Sequence, residues 1–194
     1  MGHSKADKAD SHERIVKTAA TRVREVGVEG VGVADLMKDA GLSHGGFYKH
    51  FASREALVDE AIERALKDGG ELAVSGLATT KKPPLVALVD AYLSAVHRDS
   101  LAMSCAVAAL AGDVARSSER ARTAYTSQVE IYLELITKLI VGDKRKARRM
   151  KAISALSTLV GAVSMARAVN DEALSNEILK SAADALKAYL AEAG

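Results

Sequence analysis

Apolar residues in the first third of the chain return at intervals of three and four, the period of a helix with one buried face, and glycines cut the pattern into short pieces. Val16, Ala19, Ala20, Val23 and Val26 form one such stripe. The helix carrying it is expected to begin at Ser11, whose hydroxyl can cap it, and to end at Gly27. Residues 1–10 read as a flexible arm. Leu36, Met37 and Ala40 give a second helix from Val33, with Asp35 in its first turn and Gly41 closing it. Phe47 and Phe51, at i and i+4, share one face of a third helix over 43–51, capped by Ser43. Ser53 caps a fourth, with Val58, Ala61, Ile62 and Ala65 as its buried stripe.

Gly69, Gly70 and Gly76 weaken the helical signal, and 79–84 reads as a linker ending in the adjacent prolines Pro83 and Pro84. Beyond it the pattern predicts helices over 84–97, 102–115, 118–141, 144–169 and 172–191. Asp143 is the expected cap of the fourth, and Asn170 and Asp171 separate the last two. In those two, Ile153, Leu156, Val160 and Val163, then Ile178, Ala182, Ala185 and Tyr189, suit a four-helix dimer seam. The predicted class is all-α. A three-helix head with a helix-turn-helix occupies 11–52, and a C-terminal helical domain occupies 53–194.

Composition agrees with a helical core: 48% of residues are apolar, 4% are aromatic and tryptophan is absent. Net charge is only +2, so electrostatics alone does not point to nucleic acid, although residues 1–54 hold nine Lys/Arg against seven Asp/Glu. No apolar run reaches the roughly 20 residues that span a bilayer, and a soluble, cytoplasmic protein is expected. Cys105 is the single cysteine, which rules out an internal disulfide. It reads as a small core or pocket residue rather than a redox sensor, since no neighbouring cation would lower its pKa.

The third helix is odd as a structural element. Gly45 and Gly46 sit in its first turn, where each costs about 1 kcal/mol against alanine. A helix whose end approaches DNA gains from that lack of bulk. Tyr48, Lys49 and His50 follow, all donors suited to phosphate oxygens. The basic run Lys144 to Lys151 begins a helix far from this head and reads as a solvated face.

The segment Val33-Ala-Asp-Leu-Met-Lys-Asp-Ala-Gly-Leu-Ser-His-Gly-Gly-Phe-Tyr-Lys-His-Phe51, followed by Ala-Ser-Arg-Glu-Ala-Leu57, resembles the signature of the TetR family of transcriptional regulators. The likeness covers about residues 12–66. It implies a homodimer in which Ser43, His44, Gly45, Tyr48, Lys49 and His50 meet operator DNA, with Arg54 as a further phosphate contact. Gly32 stands where many relatives cap the second helix with Ser or Thr, so only a backbone amide is available there. The same resemblance implies a small, apolar or aromatic effector among the central helices. Tyr92, His97, Met103, Cys105, Leu110, Tyr125 and Met165 are the candidates for its cavity, each also explicable as core.

The leading expectation is therefore a repressor released from a palindromic operator by its effector. A DNA-packaging or docking module without effector control is the alternative. An enzyme is not expected: the chain has no His-x-x-x-His, and the metal-spaced sets and activated nucleophiles of helical-bundle enzymes are missing. No cofactor is implied.

Overall fold

The computed structural model describes residues 5–77, 81–142 and 144–191; Asp143, the expected cap, lies outside them. The described residues form α1 (Lys5–Val26), α2 (Val33–Asp39), a 3-10 helix (His44–Lys49), α3 (Arg54–Leu77), α4 (Pro84–Tyr92), α5 (Ala95–Asp99), a 3-10 turn (Leu101–Met103), α6 (Ala106–Val114), α7 (Glu119–Leu139), α8 (Arg145–Ala168) and α9 (Glu172–Ala191). There is no strand among them, and no helix long and apolar enough to cross a membrane.

Several boundaries differ from the sequence expectation, each for a local reason. The first helix begins at Lys5, so residues 5–10 are helical rather than an arm and Ser11 lies inside the helix. Ala6, Lys8 and Ala9 are strong helix formers, and Asp7 sits in the first turn, where a carboxylate is favoured. The third helix is 3-10, not α. The helix predicted over 84–97 breaks at Leu93; Ser94 then starts α5, its Oγ accepting the His97 N–H at 3.1 Å. The one predicted over 102–115 begins at Ala106, because Ser104 is extended after the 3-10 turn. α3, in contrast, runs through Gly69, Gly70 and Gly76 to Leu77. Gly27 and Gly41 stop their helices at φ +73, the left-handed conformation that glycine takes most easily.

The head packs where the pattern put it. Ala19, Val23, Leu36, Met37, Phe47, Phe51 and Ile62 are buried together. Ile15 joins them fully buried, and Val26, assigned to the same stripe, is 51% exposed. In addition to this core, polar bonds tie α3 to α7 and the end of α1 to α6. Ser118 caps α7 by accepting the Ala121 N–H at 3.1 Å, and its hydroxyl donates to the buried Asp59 of α3 at 2.6 Å. Arg120 of α7 forms a two-pronged pair with Glu63 at 2.7 and 2.8 Å. Val28, just past α1, donates its N–H to Asp113 of α6 at 3.2 Å.

In the last two helices the expected seam divides between the two faces. Leu156 and Val163 belong to the subunit's own core, whereas Ile153, Met165, Leu174 and Tyr189 are exposed on the outer face. Replacing Ser118 with alanine removes a cap and the partner of Asp59. A loss of about 1–2 kcal/mol in unfolding free energy is expected, to be measured by urea titration; an unchanged midpoint would show that this tie contributes nothing.

Candidate nucleic-acid interface and effector cavity

The 3-10 helix His44–Lys49 is held from behind by its two phenylalanines. Phe47 and Phe51 stack with ring centres 5.5 Å apart, and His12 of α1 stacks on Phe51 at 4.5 Å while its Nε2 pairs with Glu60 at 2.7 Å. Six residues at about 2.0 Å rise give a rod of about 12 Å, close to the width of a DNA major groove. Its outer side carries Ser43, His44, Gly45, Tyr48 and Lys49, all exposed, with Tyr48 at 76%. The Ser43 hydroxyl makes no cap bond, contrary to expectation, so it is not occupied by the helix it precedes. Gly32 precedes α2 with no side-chain cap, as its missing hydroxyl requires.

Gly45 is the most informative of these positions. Its φ is not positive, so glycine is not required by the backbone. A Cβ built there would meet nothing within 4 Å, so glycine is not required by packing within the subunit either. Gly46 has only ordinary contacts at 3.7 Å, to Met37 and Ser43. Gly45, which the fold does not need, leaves room on the outward side.

The extended α1 changes the surroundings of this helix. Asp7, Lys8 and Ser11 line a groove of about 430 Å³ together with Ser43, Gly46, Lys49 and His50. The sequence left Lys8 and Ser11 out of the site because the first helix was expected to begin only at Ser11. His50 is half-buried there, its Nδ1 without a partner among the described residues. Burial lowers its pKa first, and nearby His12, Lys8 and Lys49 lower it further. Arg54 points the other way: Nη2 donates to the Val28 carbonyl at 2.6 Å and Nε to that of Val31 at 3.4 Å. Two of its nitrogens hold the turn before α2, which makes it a positioning residue for the head.

A second feature lies in the body. A cavity of about 230 Å³ is bounded by α3, α4, α5, α7 and α8, and four of the seven candidates line it: Tyr92, His97, Met103 and Cys105. The other three do not. Leu110 is fully buried in the core, Tyr125 donates its hydroxyl to the Val107 carbonyl at 2.8 Å, and Met165 is 55% exposed outside α8. Helical period alone could not tell these faces apart. Tyr132, Ile136, Leu156 and Leu159 were missed as lining residues. Tyr132 and Ile136 lie at i, i+4 on α7, a spacing that marks a common face without saying what the face borders.

The wall at α5 is fixed by hydrogen bonds. Arg167 of α8 donates to the carbonyls of Arg98 at 3.0 Å and His97 at 2.8 Å. His97 Nε2 accepts the Cys105 N–H at 3.2 Å, so the ring proton sits on Nδ1 and donates to the Tyr92 carbonyl at 2.7 Å. That geometry requires a neutral imidazole, and burial lowers its pKa accordingly. The 3-10 turn 101–103 and Cys105 connect this wall to the head. Arg24 of α1, buried, donates Nε to the Ala102 carbonyl at 2.7 Å and Nη1 to the Ala65 carbonyl of α3 at 3.2 Å. The sequence held one signal for Arg24: a cation directly beside Val23 on an otherwise apolar stripe. Among the described residues no group of three or more His, Cys, Asp or Glu is placed to hold a metal.

Residues 15–61 match the model of bacterial regulatory proteins of the tetR family. An uncharacterized HTH-type transcriptional regulator of Mycobacterium tuberculosis strain H37Rv is 27% identical over 169 residues, covering 82% of this chain and 85% of that protein. A TetR transcriptional regulator from Chloroflexus aurantiacus superposes with a TM-score of 0.76 at 24% identity, covering 96% of each chain. The reduced form of Escherichia coli NemR gives 0.73 at 19% identity, covering 92% of this chain and 95% of its own. The solved structures share the all-helical fold, and the family match falls on the segment that contains the helix-turn-helix.

Two measurements test the local account. Gly45→Ala is expected to leave stability unchanged or raise it by up to about 1 kcal/mol while weakening DNA binding at least tenfold; equal affinity would remove the reason given for the glycine. The second concerns pH. The folded pKa of His97 lies below its unfolded value, near 6.5, so the unfolded chain takes up the proton first and stability is lost as pH falls below about 6.5. His97→Gln should therefore show a smaller drop in urea midpoint between pH 7.5 and 5.5 than the wild type does.

Proposed function

We propose that this chain, a transcriptional regulator of the TetR family, is a repressor that grips a near-palindromic operator as a dimer and is released by a small effector bound in the central cavity. The observation that carries the DNA reading is Gly45, a glycine required neither by its φ nor by any neighbour, at the exposed start of a helix of groove length. Around it, Ser43, His44, Tyr48, Lys49 and His50 offer donors to phosphates and base edges, and the groove adds Lys8 and Ser11. Arg54 supports the head from inside.

The dimer reading rests on the outer face of α8 and α9. Ile153, Met165, Leu174 and Tyr189 are exposed there. Gly161 between them would place a Cβ against nothing within 4 Å, which leaves room for a second helix to approach closely. A two-fold dimer would set the reading helices about 34–36 Å apart, one turn of DNA.

An effector acts on DNA affinity only by binding one head spacing better than another. The Arg24 bonds supply the route. Met103 and Cys105 line the cavity, Ala102 lies beside them in the chain, and its carbonyl holds the head through Arg24. A ligand that shifts the 101–105 segment displaces α1 and α3 together, because Arg24 is bonded to both sides.

Fluorescence anisotropy on a DNA fragment selected from a random-sequence library tests the reading. Wild type should discriminate that fragment from scrambled DNA by at least 10³. Lys49→Ala should weaken both and lower the slope of log affinity against log salt by about one. Affinity that follows salt alone, with no sequence discrimination, would support the packaging alternative and overturn the repressor.

A further inference from the structure

The cavity wall limits what the effector can be. Among the described residues its lining includes no charged side chain. Arg167 of α8 directs Nε and Nη2 to backbone carbonyls, and His97 is held neutral with both ring nitrogens occupied. The remaining lining is apolar except at one end, where Tyr92, Tyr132 and Cys105 meet. There the Cys105 thiol points to Tyr132 Oη at 4.0 Å. Tyr92 Oη is buried with the weakly hydrogen-bonding Cys105 thiol beside it and no hydrogen bond of normal geometry among the described residues, and its ring is fixed against His97 with centres 4.5 Å apart.

A buried hydroxyl without a normal hydrogen bond is costly unless something completes it. Burial, and then the proximity of Cys105, push the pKa of Tyr92 well up, and burial does the same to Tyr132, so both phenols keep their protons and remain donors. An anion entering this space would lose its hydration with no cation lining it, since Arg167, whose charge is felt at Tyr92 and Cys105, already commits Nε and Nη2 to backbone carbonyls. The cavity is half open, so its volume sets how much of a ligand it can cover. A 150 Å³ apolar cavity holds one benzene, so by proportion the cavity of about 230 Å³ holds about nine heavy atoms.

We infer that the cavity takes an uncharged, largely apolar ligand of about nine heavy atoms bearing one carbonyl-like acceptor that accepts a hydrogen bond from the Tyr92 hydroxyl. The inference rests on the reading of this cavity as the effector site, and its two halves separate experimentally. Three probes share nine heavy atoms and one shape: acetophenone, α-methylstyrene and benzoate. Calorimetric titration into the full chain should show acetophenone binding about 3–10-fold more tightly than α-methylstyrene, the range of one net hydrogen bond. Benzoate should bind at least about 100-fold more weakly than the ketone. In Tyr92→Phe, which keeps the ring and its contact with His97, the preference for ketone over hydrocarbon should vanish while the hydrocarbon's own affinity holds.

Benzoate binding as tightly as acetophenone, a preference that survives Tyr92→Phe, or no binding by any of the three would each overturn the inference. DNA release is read separately by anisotropy. Selective ketone binding that leaves DNA affinity unchanged would support the cavity chemistry and overturn the effector role.

Discussion

Arg24 is a cation taken out of water with backbone carbonyls, rather than carboxylates, as its hydrogen-bond partners among the described residues. Burial pulls its pKa down, yet a guanidinium at neutral pH keeps its charge, so those carbonyls must stay in place. One belongs to α3, the helix that leaves the head for the body, and the other to the turn that forms the cavity wall. Neither can move far without stranding a charge. Apolar packing between α1 and α3 would tolerate some sliding; a directional bond at 2.7 Å does not.

The rest of the body reads as support for that joint. Arg167 ties α5 to α8, and His97 ties α5 to the N-terminus of α6, so the 101–105 segment is held at Cys105 from the cavity side and at Ala102 from the Arg24 side. Ser118 with Asp59 ties α7 to α3, and Asp113 with Val28 ties α6 to the end of α1. The reading helix is far simpler in construction. Two stacked phenylalanines anchor it, and Gly45 leaves its outward end bare.

Legibility in the sequence followed the range of the interactions. Helix stripes, glycine stops and the caps at Ser53, Ser94 and Ser118 are local, and all but Ser94 and Ser118 were read from neighbouring residues. The reading helix was placed correctly because Phe47 and Phe51 fix its inner face, although its 3-10 winding was not foreseen. Ser11 misled because a hydroxyl before an apolar run looks like a cap, whereas Asp7 and two alanines carry the helix further back. Contacts between distant residues were illegible. Arg54 reaches back 23 and 26 residues, and Arg24 reaches forward 78. Leu110, Tyr125 and Met165 were misplaced for the same reason: which side of a helix meets a void depends on its neighbours.

The central claim is that the cavity and the reading heads share one bonded joint at Arg24. Spin labels on Lys38→Cys, an exposed site at the end of α2, attached under conditions that spare the buried Cys105, would report the distance between the two heads of a dimer. Pulsed dipolar spectroscopy with and without acetophenone should show that distance change in the wild-type background. In Arg24→Lys, which keeps the charge but gives up the two-pronged reach, the change should be lost or much reduced. An equal change in both proteins would contradict the account, as would no change in either.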